Sequence, residues 1–225
     1  MRARRRQLLQ AAVILAAATP LLALALRAAS TGLGANPIEE VTHTTGDWSL
    51  RLLLATLAVT PLRRLSGWSA LAPLRRSLGL AAFGYVCLHL LTYVVLDQFF
   101  DWPAIFEDVL ERRYITAGFA GFLCLLPLAI TSTRRWQRRL GIRWVKLHRL
   151  VYVAAGLGVV HYLWLVKSDL RAPLVHAAVL ALLLGSRWWL SARGRRAAGP
   201  QARALYVEGC SAAEGRGAPP VSRSR

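Results

Sequence analysis

Apolar residues recur along the chain in six blocks, at about residues 7–28, 47–62, 78–96, 115–132, 147–166 and 172–191, each bounded by charged or turn-forming residues. A hydrocarbon core about 30 Å thick takes about 20 mostly apolar residues in a helix. The pattern therefore predicts an all-α membrane protein, a bundle of about six transmembrane helices, with a second span shorter than the rest. It divides the chain into residues 1–35 (first transmembrane helix and outer loop), 36–192 (the main transmembrane domain) and 193–225. This last stretch is rich in Arg, Gly, Ala and Ser without apolar periodicity, and is expected to be a disordered basic cytoplasmic tail. The first block also admits reading as a cleaved signal peptide, since Arg4-Arg5-Arg6 precedes an apolar run containing Ala23-Leu24-Ala25. That run is longer than the usual apolar region of such a signal, which favours a retained span.

Charge then orients the bundle. With 29 Lys and Arg against 11 Asp and Glu the formal net charge is +18, which in a soluble protein would point to nucleic acid. Here the bases sit in clusters on alternate connections: Arg2, Arg4, Arg5 and Arg6; Arg63, Arg64, Arg75 and Arg76; Arg134, Arg135, Arg138, Arg139, Arg143 and Lys146; then Arg193, Arg195 and Arg196. The intervening connections carry most of the acids. The excess of bases on one side predicts that both termini are cytoplasmic, in a multi-pass protein of the bacterial cell inner membrane with lipid, not nucleic acid, around it. The eight tryptophans fall mostly near block ends, as an interfacial belt does. Hydrophobic residues make up 55% of the chain and mean hydropathy is +0.39, too apolar for a soluble domain of this size.

The candidate chemistry lies in histidines, because an ionisable ring in a bilayer is expensive and normally marks a site. His89 stands in the third block, and His148 and His161 in the fifth. Counted from the cytoplasmic ends, His89 lies roughly 17 Å and His161 roughly 22 Å in, so the two can face each other across one porphyrin. Two imidazoles on one iron leave no open coordination site, which makes the group an electron carrier. Gly158, Leu157 and Ala154 beside His161, and Tyr85 and Ala82 beside His89, are expected to leave room for the macrocycle or to allow close helix packing.

His148 sits nearer the cytoplasmic side. Thirteen residues of ideal helix would turn it roughly 140° away from His161, and the third block has Arg75 or Arg76, not histidine, at matching depth. It is left as a ligand of a second haem with some other partner, or as a contact to a flavin or quinone. Arg75, Arg76, Arg143 and Lys146 either pair with haem propionates or a flavin phosphate, or serve only as topology signals. His43 is expected in an outer loop with Thr44 or Asp47 capping the second helix, and His176 is expected to be structural. Cys87, Cys124 and Cys210 form no C-x-x-C pair, and the absence of C-x-x-C-H means that any haem is held without thioether links, as haem b.

With these residues placed, the chain resembles the MsrQ family, the haem-binding membrane subunits of the bacterial periplasmic protein-methionine-sulfoxide reductase, within the ferric-reductase-like transmembrane group. The matching stretches include Asn36-Pro37-Ile38-Glu39-Glu40, Thr45-Gly46-Asp47-Trp48, Thr60-Pro61-Leu62-Arg63-Arg64, Leu88-His89-Leu90, Leu147-His148-Arg149-Leu150 and His161-Tyr162, over about residues 36–189. The resemblance implies that His89, His148 and His161 occupy haem-ligating positions. It also implies FMN, a quinone or flavin reductase as electron donor, and a periplasmic molybdopterin-containing methionine sulfoxide reductase subunit as acceptor. No second histidine in the third block and no G-x-G-x-x-G loop after a strand are found, unlike the larger ferric reductases. Two other functions fit the same histidines: a stand-alone ferric or quinone oxidoreductase, and a transporter or proton channel using them as relays.

Overall fold

Helical propensity and the need to satisfy every backbone polar group without water give the same answer along the whole chain. The computed structural model describes the backbone of residues 2–214 and the side chains of residues 4, 5 and 7–193, and this backbone is helical with no strand among the described residues. In order it runs α1 (Arg2–Ser30), α2 (Pro37–Ser66), a 3-10 turn (Ser69–Leu71), α3 (Leu74–Thr92) continuing as a π-helical turn (Tyr93–Asp97), α4 (Trp102–Glu111), α5 (Arg113–Ile130), α6 (Arg134–Leu140), α7 (Ile142–Leu147), α8 (Leu150–Leu165) and α9 (Arg171–Glu214).

Four stretches are long and apolar enough to cross a bilayer: Gln7–Ser30, Ser69–Asp97, Arg113–Ile130 and Arg171–Arg193. The remaining two expected spans have different characters. The α2 helix is long but carries Asp47 and Arg51, joined at 2.6 Å. The α8 helix has 16 residues, about 24 Å of helix. Large apolar side chains such as Leu15, Leu22 and Leu182 point outward, while small ones such as Ala82 and Ala155 are fully buried. This inside-out distribution suits a lipid surround. Hydroxyls inside the helices close onto their own backbone, Thr45 on Val41 O and Thr56 on Leu52 O.

Two helix starts differ from the expectation. The second helix begins ten residues earlier than expected, at Pro37 instead of 47. The Asn36 side-chain oxygen accepts the Glu39 N–H at 3.3 Å, with Pro37 at the first helical position and Glu39 and Glu40 in the first turn. The stretch 42–47 is thus helix interior, not loop, and neither Thr44 nor Asp47 is its cap. In the fifth block, α8 begins at Leu150, and Arg149 N–H to Lys146 O and Tyr152 N–H to Arg149 O are tightened i→i+3 bonds. His148 therefore stands in a turn before α8, so the ideal-helix angle between it and His161 does not apply.

The connections themselves fold into helices that went unforeseen: α6 and α7 in the basic one before the fifth block, and α4 in an acidic one. The acidic connection after the third block folds into α4, capped by Asp101, whose carboxylate accepts the Ala104 N–H at 3.2 Å. Buried Asp108 accepts the Tyr93 hydroxyl at 2.9 Å and the Gln98 amide at 3.2 Å and pairs with Arg112 at 2.8 Å. It ties the end of α3 to the start of α5.

Contacts divide the chain into two units, Met1–Leu183 and Leu184–Arg225. In the first, α2 packs most extensively on α3, and α5 on α8. Their core centres on Leu50, Leu53, Leu57, Ala82, Tyr85, Ala154, Ala155 and Val159, with the Tyr85 hydroxyl bonded to Ala17 O of α1 at 2.7 Å. In the second unit, which holds the basic tail expected from residue 193, the described backbone is helical to Glu214. Ala, Arg, Leu and Glu there are good helix formers. The rest of that tail, residues 215–225, lies outside the described residues.

Candidate functional site: paired imidazoles and a cationic cavity

The α2/α3 pair delivers His89 and the α5/α8 pair delivers His161, and their ring centres stand 6.1 Å apart with the planes crossed at 80°. Each ring is fixed through its far nitrogen. His89 Nδ1 lies 3.0 Å from the Thr42 carbonyl oxygen of α2, and His161 Nδ1 lies 2.7 Å from the Tyr114 carbonyl oxygen of α5. A carbonyl only accepts, so both Nδ1 atoms carry the proton and both Nε2 atoms keep their lone pairs. Neither Nε2 has a hydrogen-bond partner among the described residues.

Those lone pairs suit a metal. A metal–imidazole bond of about 2 Å on each side, with about 1.1 Å more from nitrogen to ring centre, puts two trans imidazole centres about 6.2 Å apart. No group of three or more His, Cys, Asp or Glu able to hold a bare ion exists among the described residues. Two imidazole nitrogens without further protein donors would suit a group that brings its own donors, as a haem does. The Nδ1–carbonyl bonds are the outer-shell device that fixes tautomer and ring orientation.

Space for the rings comes from glycines that the sequence reading passed over. A Cβ on Gly46 would stand 3.0 Å from His89 Cε1, and one on Gly118 would stand 2.8 Å from His161 Nδ1. The small residues beside His161 also have packing neighbours. Gly121 meets Leu157 Cβ and the Ala154 carbonyl, and Gly158 lies against Leu50. The one signal that pointed to the missed residues is spacing: Thr42 precedes His89 by 47 residues, and Tyr114 precedes His161 by the same 47.

His148 is held differently and lies elsewhere. Its Nε2 is 3.1 Å from the Thr131 hydroxyl oxygen, and that hydroxyl donates its own proton to Pro127 O at 2.6 Å, so Nε2 is the protonated nitrogen. The ring stacks on Trp144 with centres 3.9 Å apart, and Trp144 Nε1 donates to Thr131 O at 2.9 Å. His148 lines a cavity of about 340 Å³ together with Arg63, Arg75, Arg76, Thr56, Thr60, Ser132 and Gln137 at its polar side and Leu53, Phe83, Leu125 and Val151 at its apolar side. Among the described residues three arginines and no carboxylate-bearing residue line it, which suits the anionic end of an amphipathic ligand. Of the expected basic cluster, Arg75 and Arg76 are there, Arg63 joins them, and Arg143 and Lys146 do not line the cavity. His89 and His161 lie outside it.

The other two histidines have local partners. His43 is half exposed on α2, 3.7 Å from Glu39 one turn back. His176 donates from Nδ1 to Ala172 O at 2.8 Å and meets the Tyr162 ring edge-on.

The chain is similar to known proteins over most of its length. Residues 45–159 match the ferric reductase like transmembrane component family. The protein-methionine-sulfoxide reductase heme-binding subunit MsrQ of Rhodospirillum rubrum is 53% identical over 82% of this chain and 89% of its own length. The proteins of the same name from Xanthomonas oryzae pv. oryzae and Xanthomonas campestris pv. campestris are 52% and 53% identical over 77% and 74% of this chain, covering 82% and 77% of their own lengths. On identity of this level across most of the sequence, the chain belongs to the MsrQ family, within the ferric-reductase-like transmembrane proteins.

Proposed function

We propose that this chain is a b-type cytochrome subunit of the bacterial inner membrane that passes electrons from the quinone pool or a flavin donor to a periplasmic molybdopterin-containing methionine sulfoxide reductase. The observation that carries the reading is the His89–His161 pair, ring centres 6.1 Å apart, both Nδ1 atoms tied to carbonyls and both Nε2 lone pairs free. A haem held by both rings would supply one-electron transfer with no open coordination site for a substrate. The chain's own residues hold that group in place: Thr42 and Tyr114 orient the rings, and the packed core of α2, α3, α5 and α8 keeps the two imidazoles at a fixed separation.

The acid-free cavity is the proposed seat of a second redox group. Arg63, Arg75 and Arg76 meet its anionic end, a flavin phosphate in FMN or the propionates of a second haem, and the apolar wall meets its ring system. His148 contacts that group, as an iron ligand if it is haem; Nε2 reaches a metal only after giving up its proton to leave the Thr131 bond. Six spans with both termini cytoplasmic complete the proposal, with α2 and α8 as the fifth and sixth spans beside the four apolar ones. The alternation of basic and acidic connections supports it.

The test is electron delivery. Purified chain, loaded with haem and reduced with stoichiometric dithionite, is mixed with the periplasmic reductase and a protein methionine sulfoxide. Its reduced absorption bands should decay only when both are present. Persistence of the bands with both, together with rapid oxidation by a ferric chelate alone, would instead establish a stand-alone ferric reductase.

A further inference from the structure

In an α-helix each Cα–Cβ bond tilts toward the N-terminus, so a side chain covers the turn before its own Cα. A ring that hydrogen-bonds the carbonyl of residue i from outside the helix therefore occupies the space that the side chain of residue i+4 would fill. His89 bonds the carbonyl of Thr42, and residue i+4 is Gly46. His161 bonds the carbonyl of Tyr114, and residue i+4 is Gly118. A Cβ at Gly46 would meet His89 Cε1 and Nδ1 at 3.0 and 3.1 Å; one at Gly118 would meet His161 Nδ1 and Cε1 at 2.8 and 3.1 Å. These approaches are shorter than the about 3.5–4.0 Å at which carbon atoms pack. Both rings are anchored, and neither can retreat without losing its carbonyl.

We propose that Gly46 and Gly118 are paired positioning residues: the missing side chain at each lets the Nδ1–Cε1 edge of an imidazole come up against the neighbouring helix, keep its Nδ1–H on the carbonyl and hold the crossed ring orientation. The proposal rests on the bis-imidazole haem reading and concerns what sets that haem's axial geometry. Crossed axial imidazoles leave two iron d orbitals nearly degenerate, which gives ferric low-spin haem a strongly anisotropic EPR signal with one dominant low-field feature. Parallel rings give a resolved three-line rhombic signal. The crossing angle of 80° predicts the first type for the unaltered chain.

The experiment compares Gly46→Ala and Gly118→Ala with Gly84→Ala and Gly156→Ala, two helical glycines whose added Cβ meets nothing within 4 Å. At limiting haem supply the first two variants should each retain about ten-fold less haem, as loss of an outer-shell partner typically does. The haem that remains should shift toward the rhombic signal, with an altered midpoint potential, while the two controls match the unaltered chain. Unchanged haem content, EPR signal and potential in Gly46→Ala and Gly118→Ala overturn the proposal.

A second arm needs no haem and so separates this proposal from the reading beneath it. Each glycine substitution is repeated where the ring is gone, Gly46→Ala in His89→Ala and Gly118→Ala in His161→Ala, and thermal stability of the haem-free protein is measured as a double-mutant cycle. The added methyl should destabilise the chain only when the imidazole is present. Equal destabilisation with and without the ring would make these glycines helix-packing residues and sink the proposal, whether or not the unaltered chain carries haem.

Discussion

Asp108 shows how much one carboxylate can hold together in an otherwise apolar bundle. It is buried, accepts from Tyr93 and Gln98, and pairs with Arg112, whose side chain is 55% exposed. The ion pair with so exposed a partner contributes about 0–1 kcal/mol. The acceptor role matters more, since Asp108 takes two part-buried donors, the Tyr93 hydroxyl and the Gln98 amide. Asp108→Asn, which keeps an acceptor, should therefore lower thermal stability less than Asp108→Ala, and a melting curve of the two purified variants reads the order. Asn36→Ala, which removes the α2 cap, should cost about 1 kcal/mol by the same measurement. At this scale the sequence disclosed the histidines, because an imidazole among leucines is chemically conspicuous. It hid Thr42 and Tyr114, which act through backbone carbonyls that any residue carries, and Gly46 and Gly118, which read as packing glycines until a ring is seen lying on them.

The helices as elements were legible where apolar runs were long and unbroken, as in α1, α3 and α5. They were misread where polar residues are helical for local reasons. The first turns of α2 carry Glu39, Glu40, Thr42, His43 and Thr45, a composition that reads as loop, yet the Asn36 cap and Pro37 start a helix there. That longer start brings the Thr42 carbonyl and Gly46 alongside His89. The α4 helix was missed because its ten residues are too few for periodicity to stand out between acids. Its Val109 carbonyl accepts the Thr116 hydroxyl at 2.6 Å, joining α4 to the first turn of α5, next to the carbonyl that holds His161. Thr116→Val should loosen that junction; faster hydrogen exchange across 109–118 than in the unaltered chain is the expected result. Two helix pairs, α2/α3 and α5/α8, thus use the same arrangement of carbonyl, glycine and histidine to bring one ring each to a shared point.

For the whole molecule, hydropathy alone singles out four spans among the described residues, whereas the alternation of basic and acidic connections calls for six. With six spans, a reporter that is active only in the cytoplasm should work when fused after residue 225 or within 63–76, and fail when inserted at 97–101. Activity of the last fusion, or loss at the C-terminus, would require another topology. The basic cavity holds Arg63, Arg75 and Arg76 from connections expected to be cytoplasmic. Replacing all three by Gln should leave the haem bound at His89 and His161 in place and reduce binding of the second group, FMN or haem, read as flavin or excess haem per polypeptide.

The central claim is that His89 and His161 hold one haem between them. Its most direct measurement is haem per polypeptide, with the visible absorption spectrum, for the purified chain and for His89→Ala and His161→Ala. The account predicts a Soret band in the unaltered chain and loss of one haem equivalent in either variant. A colourless unaltered chain produced with ample haem supply, or an undiminished band in both variants, would contradict it.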